Sequence, residues 1–153
     1  MKDVLDQYAQ RSIFARAHWD QYEDAEEKPA LTPDAAAQMI LGQIRYILHD
    51  PHISKARKML VVEQFRNPEL AKLQTKQNCT DVLRYFTGLV KCLIRSGVLA
   101  GDDSEIMAAQ LCLPISVWIN LCDREPERED EVVGLIERHI RQFYKVYGVP
   151  RED

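Results

Sequence analysis

Apolar residues recur at spacings of three and four through almost the whole chain, and no stretch alternates in the manner of a half-buried strand. The pattern predicts an all-α fold, a bundle of about six helices. The first is expected over Asp3–Asp24, with Val4, Leu5, Tyr8, Ser12, Ala15 and Trp19 near one face, running out into the acidic stretch Glu23–Glu27. The second opens at Thr32-Pro33-Asp34, where Thr32 suits the N-cap and Pro33 the first helical position, and it stops near Asp50-Pro51. The third is expected from about Ser54 to Arg66. The fourth begins with the same grammar, Asn67 as cap and Pro68 first, and reaches Ser96, where Gly97 is placed for a left-handed C-terminal turn. The fifth follows Asp102-Asp103 and ends near Cys122. The sixth runs from about Pro126 to Tyr147-Gly148, and Pro150 forbids its continuation.

The last two segments stand out. From Ile106 to Cys122 apolar side chains occupy nearly every side of the helix, which must therefore be surrounded. The sixth carries Val132, Ile136, Ile140, Phe143 and Tyr147 on one stripe, with Val133, Leu135 and Val146 off it. Two such helices in so small a chain predict an apolar surface covered by a second copy, although packing at the centre of a monomeric bundle would also use them.

Composition narrows the possibilities. The 153 residues suit one domain. A net charge of −4 gives no bulk attraction to nucleic acid or anionic lipid. Cys79, Cys92, Cys112 and Cys122 form no C-x-x-C pair and no signal sequence leads the chain, so a reduced, cytoplasmic protein is expected. The longest apolar run, Leu111–Leu121, is interrupted by Pro114, Ser116 and Asn120, so no membrane span is expected.

Candidate chemistry is sparse. His49-Asp50-Pro51-His52 brings two imidazoles and a carboxylate together, but without a further ligand at matching spacing it reads as an interhelical turn, and no metal or cofactor is expected. His139, beside the apolar stripe of the sixth segment, reads as an interface or core residue. No serine sits on a glycine elbow, no cysteine has a base beside it in sequence, and there is no phosphate-binding glycine loop, so no enzyme is expected.

Several segments resemble the C-terminal regulatory domain of the Tet repressor (TetR) family. They are Ala56-Arg57-Lys58-Met59-Leu60, Glu63 to Leu70, Glu105 to Gln110, Asp123 to Glu129 and Leu135 to Phe143, spread over most of the chain from about residue 43. Met1-Lys2-Asp3-Val4-Leu5 looks like the tail of that family's DNA-binding head entering the connecting helix, and the helix-turn-helix itself is absent from the sequence. The resemblance implies a connecting helix over 1–26, ligand-pocket helices over 32–99 and dimerisation helices over 102–148. The last two helices would form a four-helix interface with a second copy, through Leu111, Ile115, Ile119, Cys122, Val132, Ile136, His139, Ile140, Phe143 and Tyr147. The helices before them would enclose an effector, an apolar or aromatic small molecule. The large or amphipathic side chains expected around it are Trp19, Tyr22, Met39, Tyr46, Met59, Tyr85, Phe86, Leu89 and Trp118, with Asn78, Arg84 and Asn120 as polar anchors. DNA would be bound only through the absent head. The alternatives are a stand-alone helical interaction module that pairs with another regulator, or a small helical enzyme.

Overall fold

The computed structural model describes residues 32–150, and among them all regular structure is helical apart from one isolated β-bridge. The predicted connecting helix over 1–26 lies outside the described residues. Helix α1 spans Pro33–His49, α2 Pro51–Glu63, α3 Pro68–Thr75, α4 Asp81–Arg95, α5 Ser104–Arg124 and α6 Glu129–Tyr147. A π-helical turn, Lys76–Thr80, fuses α3 and α4 into one continuous rod, and a 3-10 turn, Pro126–Arg128, leads into α6. The described residues thus form five separate rods, and the all-α fold class is established.

Capping chemistry sets the boundaries. Thr32 Oγ1 accepts from the Ala35 amide at 3.1 Å, and Asn67 Oδ1 from the Glu69 amide at 3.0 Å. Asp50 closes α1 and opens α2 in the same step. Its carboxylate accepts from the His52 and Ile53 amides, so α2 starts at Pro51, three residues before the expected Ser54. At the end of α4, Gly97 adopts φ 77°, the Val98 amide bonds the Leu93 carbonyl and the Gly97 amide bonds that of Ile94. This pair of reversed bonds is a Schellman closure, which favours glycine at its left-handed position.

The core explains the patterning of the last two helices. Helix α5 packs most extensively on α4 and also meets α1 and α6, so three neighbours use its apolar sides. Leu89, Val90, Ala108, Ile136 and Ile140 are fully excluded from solvent at the centre. Helix α5 is long and apolar enough, by length and composition only, to cross a membrane, a test that the core helix of a folded bundle also passes. Pro114 does not break it, and its place among three other helices accounts for its apolar character within a folded bundle. The ends of the bundle are tied by the antiparallel bridge Leu99–Gly148, in which the Ala100 amide bonds the Tyr147 carbonyl and the Val149 amide that of Val98.

Candidate functional site

Helices α1, α2, α4 and α5, together with the end of α3 and the π turn, line a partly open cavity of about 150 Å³. Its apolar wall comes from Ile40, Ile44 and Ile47 of α1, Ile53 of α2, Val82 and Phe86 of α4, and Cys112, Ile115 and Ile119 of α5. The polar part is supplied by Gln43, Arg57, Gln74, Asn78, Ser116 and Asn120.

Each polar group is placed by helical spacing. Gln43 falls on the same face of α1 as Ile40, Ile44 and Ile47, so the stripe that builds the core carries one amide into the cavity wall. Its Nε2 donates to Tyr85 Oη, while its Oε1 is buried without a hydrogen-bond partner. Burial, partly offset by that bond, pushes the Tyr85 hydroxyl above its ordinary pKa. Asn78 reaches the wall from the π turn, and its Nδ2 donates to Gln74 Oε1 at 2.7 Å, one turn back. Ser116 Oγ turns onto the Cys112 carbonyl at 3.3 Å.

Arg57 closes one end. It follows Ile53 and precedes Leu60 on the buried face of α2 and is only 5% exposed. Its Nε donates to Asp123 Oδ2 at 3.0 Å, its second terminal nitrogen contacts Asp123 Oδ1, and the first donates to the Ile47 carbonyl at 3.0 Å. One guanidinium therefore pins the last turn of α1 and the last turn of α5 to α2. The charge in the wall is matched, since the cation is paired with a carboxylate. The other titratable wall group is Cys112, whose thiol burial pushes up to about 12, so it is protonated and not nucleophilic at neutral pH.

The structure distributes the sequence-predicted pocket residues widely. Trp19 and Tyr22 lie outside the described residues. Phe86 stands on the cavity wall; Tyr85 lies behind it, bonded to Gln43; Leu89 is fully buried in the core. Met39 is half-buried against the core and Tyr46 is exposed. Met59 lines a separate open groove with Lys55, Lys58 and Val62. Trp118 packs edge-on against His139, ring centres 5.5 Å apart. Of the expected anchors, Asn78 and Asn120 are in the wall, whereas Arg84 is on the surface, 3.5 Å from Asp81. Gln43, Arg57, Gln74 and Ser116 were not anticipated. The signal for the first two was present in the sequence, a polar residue at a core position of an apolar stripe.

The expected interface residues mostly face inward. Leu111, Ile115, Cys122, Val132, Ile136, Ile140 and Phe143 are buried in the chain's own core, so they are not available to a second copy. Ile119 and Tyr147 are half-buried, Tyr147 Oη contacts Gln110, and His139 Nε2 lies 2.8 Å from the Leu111 carbonyl. What the helix pair leaves outside is a different stripe, Ile106, Leu113 and Val117 on α5 and Val146 on α6, each about half exposed or more. In the putting-together of the α1–α2 turn, His49 pairs with Glu129 at 2.9 Å while Asp50 caps α2. No protein-family model matches the chain, and comparisons with curated proteins and with solved structures find no significant match.

Proposed function

We propose that this chain is the effector-sensing and dimerisation domain of a TetR-like transcriptional regulator working in the cytoplasm, and not an enzyme. The observation that carries the reading is the partly open cavity between the helices. It is apolar, edged by amides, charge-neutral and lined by four helices that would otherwise pack directly on one another. A molecule held there touches α1, α2, α4 and α5 at once and can shift their relative positions, provided that it binds two arrangements with different affinity. In this reading DNA is contacted by a helix-turn-helix joined to the domain, and the helices described here make no DNA contact.

The same reading assigns dimerisation to the outer side of α5 and α6. Ile106, Leu113, Val117 and Val146 form an exposed apolar stripe beside a seam held by His139 and Tyr147. Sedimentation equilibrium, with native mass spectrometry on the same sample, tests this. A dimer at micromolar concentration is expected, reduced to a monomer by Val117→Glu, which places a charge on a residue 63% exposed in the single chain. A wild-type monomer under these conditions would remove the regulator reading. A second reading, a helical interaction module, draws on Phe65, which is 90% exposed beside Val61 and Val62. It predicts that Phe65→Ser abolishes association with a protein partner and that filling the cavity changes nothing.

A further inference from the structure

The polarity of the cavity wall restricts what can occupy it. From this arrangement we infer that the cavity selects a neutral, single-ring-sized molecule bearing one hydrogen-bond donor, and that Gln43 is the residue that reads the donor. The inference rests on the sensing role proposed above and adds to it the chemical class of the ligand.

Size comes first. An aliphatic cavity of about 150 Å³ accommodates benzene; the volume here is about 150 Å³, with six isoleucines in the wall. One ring with a small substituent fits within that volume, and a fused multi-ring molecule exceeds it. Charge comes second. Among the described residues the wall contains no Asp, Glu, Lys or His, and its one cation there is already bonded to Asp123 and to the Ile47 carbonyl. A carboxylate or ammonium entering the cavity would lose its hydration without a free counter-charge. Hydrogen bonding comes third. Gln43 Oε1 is a buried acceptor left without a partner, on a side chain whose other end is fixed by Tyr85. A buried acceptor without a donor is unfavourable, and a ligand O–H or N–H relieves it. The Gln74 oxygen accepts from the Asn78 amide and the Ser116 hydroxyl is turned onto its own helix, so Gln43 Oε1 is the buried acceptor without a partner in the described wall.

Phenol, toluene and benzoate separate these requirements, because they share a ring and differ in donor and charge. Titrations of the whole chain would be followed by calorimetry and by the methyl NMR signals of the wall isoleucines. Phenol is expected to bind more tightly than toluene although toluene is the more hydrophobic, and benzoate to bind at least tenfold more weakly than phenol. Gln43→Leu is expected to lower the phenol-to-toluene affinity ratio about tenfold while keeping toluene binding, the change expected from losing one hydrogen bond. Toluene bound as tightly as phenol, or a ratio unaltered by Gln43→Leu, would overturn the donor-reading role and leave the sensing function standing. Benzoate bound as tightly as phenol would overturn the neutrality requirement. If none of the three shifts an isoleucine methyl of the wild-type protein, the cavity is no ligand site, and the sensing function falls with it.

Discussion

Arg57→Met removes the only cation buried among the described residues and tests whether one side chain holds three helices together. Methionine keeps the apolar stem, so the core contacts of α2 largely survive. Two groups lose their partner. The Asp123 carboxylate, whose side chain is 14% exposed, is left as a mostly buried unpaired charge, and the Ile47 carbonyl loses its side-chain donor. Breaking a buried ion pair from one side costs about 3–5 kcal/mol. A domain of this size has a total stability of about 5–15 kcal/mol. With a urea slope of about 2 kcal/mol per M, the unfolding midpoint should fall by about 2 M with the slope unchanged. The double variant Arg57→Met, Asp123→Leu removes both charges and leaves only the carbonyl, a residual cost of about 1–3 kcal/mol. It should therefore be more stable than the single variant, the opposite of additivity. A single-variant loss below about 1 kcal/mol, or a double variant worse than the single, would refute the reasoning that the pair is a buried, coupled clamp.

Three further outcomes follow from the same packing. Stability should fall at alkaline pH. Burial raises the Cys112 thiol from 9.0 and the Tyr144 hydroxyl from 10.0, each to about 12, so the unfolded chain loses these protons first. The contribution is whole below about pH 9 and disappears as pH climbs through 12, which thermal unfolding across that range will show. Native-state thiol titration should modify Cys79 alone at a fast rate, because Cys92, Cys112 and Cys122 are buried; rapid labelling of all four would contradict the packing of α4 on α5. Gly148→Ala should lower the melting temperature, at a cost of about 1–3 kcal/mol, since a Cβ there would lie 2.3 Å from the Tyr144 carbonyl oxygen. An unchanged midpoint would mean that the C-terminal bridge is not close-packed.

Helix existence and most helix ends were legible in the sequence because they are written in local chemistry. Thr32-Pro33, Asn67-Pro68 and Gly97 each have one favoured role at a helix end, and each takes it. Glu137 and Arg141, one helical turn apart on α6, pair at 3.0 Å. The start of α2 was misplaced because Asp50-Pro51 reads as a stop, while the same carboxylate also serves as a start. The cavity was harder, because size is a poor guide to position. Aromatic bulk suggested Tyr46 and Trp118, yet which side of a helix faces a void depends on neighbours distant in sequence. Gln43 and Arg57 are polar breaks in apolar stripes, an unused signal that marks the wall better than the aromatic residues do. The breadth of the apolar pattern on α5 did not specify an oligomer, since α1, α4 and α6 of the same chain account for most of it.

The π turn between α3 and α4 makes the count of residues, as much as their identity, a determinant of the cavity. A turn closed from the Asp81 amide back to the Lys76 carbonyl holds one residue more than an ordinary helical turn. Deleting one residue from Lys76–Thr80 would let the same two flanking turns join in regular winding and remove the bulge that lies between them. Asn78, inside the turn, would then lose its place on the wall, while Gln74 before it and Val82 and Phe86 beyond it kept theirs. A single-codon change in length at this point can thus redraw the polar edge of the cavity and leave the core of α4 and α5 untouched, a route to new ligand preferences that needs no substitution in the binding wall.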